Sequence, residues 1–187
     1  MIWFTADTHF GHSKILEYVK RPYATVEEMD EALIKNWNER VQPNDDVYHL
    51  GDFGLCASSK LRKIIDRLHG KIHLIRGNHE SSAIGCKNRF VWIKDYYELR
   101  VPDLEGFQSK RTLILFHYPV RIWNAQHYGT FHLFGHVHGG LEDDTKALSL
   151  DVGVDCHGYA PISYTEVKNL MKEKDWTPPF RKERTGD

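Results

Sequence analysis

Five stretches of apolar residues in this chain each stop at a polar cluster of Asp, Asn or His, and that repeated junction restricts the possible fold more than any other feature. Three junctions are Asp7-Thr8-His9 after Ile2 to Ala6, Gly51-Asp52 after Val47 to Leu50, and Gly77-Asn78-His79-Glu80 after Lys71 to Arg76. The other two are His117 after Arg111 to Phe116, and Gly135-His136-Val137-His138 after Thr130 to Phe134. Short runs of this composition are of strand type, and each is cut off where its polar cluster begins. In open α/β sheets ligands gather beyond the carboxyl ends of the strands, so the five loops can converge on one crevice.

Helical patterns fall between the early strands. Thr25 and Glu28 form a capping box, and Val26, Met29, Leu33, Trp37 and Val41 follow at steps of three and four, which predicts an amphipathic helix. Leu61, Ile64, Ile65 and Leu68 predict a second, closed by Gly70, and the Ser163/Glu166 pair caps a last one. Further strands are read at 91–93, 97–101 and 148–154. Strand and helix alternate in the first half while strands dominate the second, which predicts an α/β sandwich of two mixed sheets with helices outside. At 187 residues one domain spanning 1–187 is expected, with 176–187 as a loose tail.

The remaining composition mostly excludes. Lys and Arg total 25 against 26 Asp and Glu, a net charge of −1, so no global field draws the chain to nucleic acid or an anionic membrane. No apolar run is long enough to span a bilayer, and the N-terminus carries no secretory leader pattern, which points to a cytoplasmic protein. Cys56, Cys86 and Cys156 are widely spaced and form no C-x-x-C pair, so free thiols are expected rather than a disulfide framework or thiolate zinc site. Histidine, at 12 residues, is the outlier. It is the commonest neutral metal ligand and the usual acid or base near neutral pH.

Taken singly, each junction has an ordinary reading: a helix N-cap with a surface histidine, a tight turn, a satisfied half-buried imidazole. Jointly, those readings require five unrelated accidents at strand ends. The Asp, Asn and His donors, without sulfur, suit manganese, iron, zinc or nickel. They are also too many for one ion, and two ions sharing a carboxylate use them all. Gly51, Gly77 and Gly135 each precede a candidate ligand, where the chain must turn sharply or approach the site closely.

In order, D-x-H, G-D, G-N-H-E, a lone His and G-H-x-H resemble the signature of the calcineurin-like metallophosphoesterases, from Asp7 to His138. The resemblance implies a four-layer α/β/β/α sandwich and a dinuclear centre, with manganese the foremost metal. It implies a first ion held by Asp7, His9, Asp52 and His138, and a second by Asp52, Asn78, His117 and His136. Asp52 is then the bridging carboxylate. The implied reaction is phosphodiester, or else phosphomonoester, hydrolysis by a metal-bridging hydroxide, with His79 protonating the leaving group. His12, continuing the first loop, is a candidate to reach a substrate phosphate.

The likeness has gaps. Protein phosphatases of the superfamily continue the G-D motif to a second aspartate and an arginine, where this chain has Leu55 and Cys56. That speaks against a protein phosphatase and leaves open what orients His79. The expected partner is a small phosphoester, a nucleotide among the candidates. Two rival readings are a nuclease acting on single-stranded ends, disfavoured by the near-neutral charge, and a non-catalytic protein-interaction scaffold, disfavoured by His79 and the full ligand set.

Overall fold

The structure, a computed structural model, describes residues 1–178, the side chain of Phe107 excepted. Among the described residues nine strands form two mixed sheets. The first has the order β4 (Trp92–Lys94), β3 (Lys71–Ile75), β2 (Asp46–His49), β1 (Ile2–Thr5) and β9 (Ile162–Ser163). The second runs β5 (Tyr96–Pro102), β6 (Lys110–Phe116), β7 (Phe131–Phe134) and β8 (Ser149–Asp151). β1 to β4 are parallel and β9 is antiparallel to β1, while β6, β7 and β8 are parallel and β5 is antiparallel to β6.

The registers explain why the polar junctions meet. Thr5 pairs with His49 and His49 with Leu74, so the loops after β1, β2 and β3 leave the first sheet side by side. Leu115 pairs with Leu133, which places His117 beside the Gly135–His138 loop in the second sheet. The bridge between Ala6 and Gly153, with Val154 N–H donating to Ala6 O at 3.0 Å, ties the two sheets together at that same end.

Strand alternation divides the apolar residues into two cores. Trp3, Val47, Ile72 and Leu74 face α2 (Val26–Arg40) and α3 (Ser58–Ile65), meeting Leu33, Trp37, Leu61 and Ile64. On the other face Phe4, Leu50 and Ile75 pack against Leu99, Leu113, Leu115 and Leu133 of the second sheet. α5 (Tyr164–Lys172), capped by Ser163 and Glu166, adds Val167 and Met171 to this second core and touches β9, β1 and β8. Two mixed sheets flanked by helices is the expected fold class.

The expected start holds at α2, which ends at Arg40 with Val41 as its extended C-cap, one residue short of the expected end, and α3 starts at Ser58 and ends at Ile65. Leu68 belongs to the following turn yet is still buried, because it completes the same apolar face. Two one-turn helices, α1 (Ile15–Tyr18) and α4 (Ser81–Ile84), and the two-residue β9 are too short to carry a periodic signal. The strand read at 148–154 is β8 only to Asp151, and a 3-10 turn follows at Val154–Cys156. Trp176, first residue of the expected loose tail, packs against the second core, and residues 179–187 of that tail lie outside the described residues. Among the described residues no helix is long and apolar enough to cross a membrane.

Candidate metal centre

The five loops converge. Ligand-type atoms of Asp7, His9 and His138 lie within 4.8 Å of one another, and so do those of Asp52, His117 and His136. Asp52 stands between the groups, with Oδ2 3.5 Å from His9 Nε2 and Oδ1 3.7 Å from His117 Nε2. Asn78 Oδ1 lies 3.2 Å from His117 Nε2, which brings it to the second group. All seven residues expected to ligate a metal are therefore in one crevice at the carboxyl ends of both sheets.

The backbone there is under strain that packing must hold. Asp7 (φ 56°), His9 (φ 50°), Asp52 (φ 56°), His136 (φ 72°) and His138 (φ 50°) all adopt left-handed conformations. Each costs on the order of 1–3 kcal/mol at a non-glycine residue and persists only where surroundings over-determine it. They do so here: Asp7 N–H donates to Gly51 O at 2.9 Å, His9 N–H to Asp52 O at 3.0 Å, and His136 N–H to Asp7 Oδ2 at 2.8 Å. The loops also approach too closely for side chains at two glycines, one pair within the first sheet and one between the sheets. A Cβ on Gly77 would lie 2.2 Å from Asp52 Oδ1, and one on Gly135 would lie 2.5 Å from Asp7 Oδ2.

Hydrogen bonds fix which histidine nitrogens face the crevice. His117 Nδ1 lies 2.7 Å from Leu50 O, and because a carbonyl only accepts, Nδ1 carries the proton and Nε2 keeps its lone pair. His138 Nδ1 lies 2.7 Å from Asp155 Oδ2, which frees its Nε2 in the same way. Burial, followed by the neighbouring His138 and Arg21, holds His9 neutral down to about pH 2. Burial and the nearby Asp52 charge raise the Asp7 carboxyl well above the usual carboxylate range.

These observations fit divalent cations. Asp7 Oδ1 and His9 Nε2 are buried without a hydrogen-bond partner among the described residues, an expensive arrangement unless a cation takes their lone pairs. The donor set of two carboxylates, an amide and four imidazoles suits borderline metals.

The remaining candidates sit around the ligands. His79 is half-buried, its N–H donates to Asp52 Oδ1 at 2.9 Å, and its ring lies 5.8 Å from His9 and 6.3 Å from His12. His12 Nδ1 is 3.2 Å from His9 Nδ1, and the Gly11 N–H beside it is held by Asp30 Oδ1 of α2 at 2.8 Å. Glu80 does not orient the His79 ring. Its Oε1 accepts from Phe53 N–H at 3.1 Å and Gly77 N–H at 3.4 Å, clamping two ligand loops together, and burial pushes this carboxyl up to about pH 7.

Sequence reasoning missed Asp155 and Arg21. The buried Arg21 guanidinium donates to both Asp155 carboxylate oxygens at 2.8 Å, to Thr8 O at 3.0 Å and to Asp7 O at 2.6 Å. A signal for Asp155 was present, since the strand read at 148–154 stops at this acid, two residues after Gly153. Arg21, in Lys20-Arg21-Pro22, has none.

A family model described as calcineurin-like phosphoesterase matches residues 1–176. An uncharacterized protein of Methanocaldococcus jannaschii is 32% identical over 92% of each chain. The Gene 66 protein of Mycobacterium phage L5 is 27% identical, over 90% of this chain and 93% of its own. Among solved structures, a protein of unknown function from Aquifex aeolicus matches with a TM-score of 0.71 at 25% identity, covering 91% of this chain and 98% of that one.

Proposed function

The chain belongs to the calcineurin-like phosphoesterases, hydrolases of phosphoric esters, and on that footing we propose that it cleaves phosphodiester bonds at a pair of divalent metal ions. The observation that carries this reading is Asp52 between two clusters, within 3.5 Å of His9 and 3.7 Å of His117. Asp7, His9, Asp52 and His138 would hold one ion, and Asp52, Asn78, His117 and His136 the other. Manganese is the ion we assign, as the family resemblance implies, and the mixed carboxylate, amide and imidazole donors accommodate it as they do iron, zinc or nickel. When bound, the ions supply the positive charge that activates water and offsets charge building on the phosphoryl oxygens.

The chain's own residues do the rest. Asp52 fixes the His79 backbone through Oδ1, which sets the imidazole at the mouth of the crevice. From there His79 gives a proton to the departing alkoxide, converting a poor leaving group to an alcohol. His12, held against His9, offers a further contact to a phosphate oxygen. We take the substrate to be a small phosphoester, and place the protein in the cytoplasm, where its three free thiols suit a reducing compartment.

The test is hydrolysis of bis-p-nitrophenyl phosphate and p-nitrophenyl phosphate by metal-stripped protein refilled with manganese, alongside His79→Ala and Asp52→Asn. We expect metal-dependent cleavage favouring the diester, and a loss of about 100-fold or more in both variants. Folded, metal-loaded protein that turns over neither ester overturns the reading; preference for the monoester overturns its diester part.

A further inference from the structure

A cleft of about 420 Å³ opens beside the metal clusters. Asn78, Ile84, Phe116 and Tyr118 line it, with Arg76 and Asp95, whose ion pair has contacts of 2.6 and 2.5 Å. Ile84 and Tyr118 are 45% and 37% exposed, so large apolar side chains stand open to solvent next to a polar centre. Concave surfaces of this mixed kind are where ligands are covered.

Its position relative to the two clusters is one-sided. The Tyr118 ring lies 4.7 Å from that of His136 and 4.8 Å from that of His117, and Asn78 Oδ1 faces His117. His79, although flanked in the chain by the lining residues Asn78 and Glu80, turns its ring toward His9 and His12. A phosphodiester carries two organic substituents. One departs beside His79, and the other stays on phosphorus and needs room elsewhere.

Resting on the phosphodiesterase reading above, we infer that this cleft is the subsite for the retained substituent, and that it takes a planar aromatic or heteroaromatic ring. Such a ring packs on Tyr118, Phe116 and Ile84, with a polar edge toward the Arg76–Asp95 pair. Phe116 and Tyr118, 5.6 Å apart and inclined at 64°, form an edge-to-face pair in the wall of that space, the arrangement aromatic pairing favours. A monoester has no substituent to put there, so the subsite favours diesters with an aryl or nucleobase-type group on the phosphate that remains.

The test compares phenyl p-nitrophenyl phosphate with methyl p-nitrophenyl phosphate, which share a leaving group and differ only in what is retained. Manganese-loaded wild type, Tyr118→Ala and Ile84→Arg are measured, and the phenyl-to-methyl ratio of kcat/KM in each variant is divided by that of wild type, which cancels intrinsic reactivity. We expect that ratio to fall about tenfold in both variants, and inhibition by phenylphosphonate over methylphosphonate to weaken in parallel. Ile84 is exposed on a one-turn helix, so its variant stays informative if Tyr118→Ala misfolds. Unchanged ratios in folded variants that cleave both diesters overturn the subsite and leave the phosphodiesterase reading standing. Wild type that cleaves neither diester overturns both.

Discussion

Asp155 Oδ2 lies 2.7 Å from Nδ1 of His138, and the same carboxylate is gripped on its other side by Arg21. Burial alone would raise this acid, but the hydrogen bonds from His138 and Arg21 outweigh it and hold Asp155 below the ordinary carboxylate range. An ionised Asp155 fixes the tautomer and tilt of His138, while Arg21 carries the restraint to the carbonyls of Asp7 and Thr8. Losing such an outer partner typically weakens metal binding by about 10–100-fold, which is the expected effect of Asp155→Ala. Manganese titration of the stripped variant by calorimetry measures it, and wild-type affinity in a folded variant contradicts the assignment.

The candidate site was legible in sequence because its candidate ligands follow strands, and strand ends are marked by abrupt changes of polarity. Asp7, Asp52, Asn78, His117 and the His136/His138 pair could each be seen at such a boundary. What was illegible acts across the fold. Arg21 reaches Asp155 over 134 positions, and no local pattern marks either as a partner of the other. Glu80 was visible, yet its role as a clamp on Phe53 and Gly77 depends on the register that sets β2 beside β3. The same limit applies to β9, two residues whose pairing with β1 is a tertiary fact rather than a propensity.

His49 links the site to acid stability. It is fully buried beneath the ligand loops, accepts a hydrogen bond from Gly51 N–H at Nδ1 (3.3 Å) and meets Thr8 Oγ1 at 2.9 Å. Burial, with His117 nearby, lowers its protonation from the usual 6.5 to about 3. Between those values the unfolded chain binds a proton that the folded chain refuses, so stability rises with pH across the window and is lost as pH falls from 6.5 toward 3. For one proton the slope is about 1.4 kcal/mol per pH unit. Urea unfolding of metal-free protein should show a shallower pH dependence in His49→Asn by about that slope, and parallel curves for wild type and variant would refute it.

Gly77→Ala examines whether the bridging position depends on backbone closeness. The added Cβ falls 2.2 Å from Asp52 Oδ1 and 2.6 Å from Asp52 N, well inside contact distance. Neither atom can yield freely, because Asp52 is 2% exposed and its Oδ1 already accepts from His79 N–H at 2.9 Å. Either Asp52, which stands between both histidine groups, swings out of line, or the loop after β3 retreats and carries Asn78 and His79 out of place. A misplacement near 1 Å at a reacting centre costs about 100-fold in rate, so kcat should fall on that scale while the sheets, whose cores lie away from Gly77, remain folded. Metal content measured by mass spectrometry after desalting should fall together with activity, since Asp52 stands between both clusters. If the variant keeps two equivalents of manganese and wild-type kcat, the site does not depend on the close approach of Gly77 to Asp52.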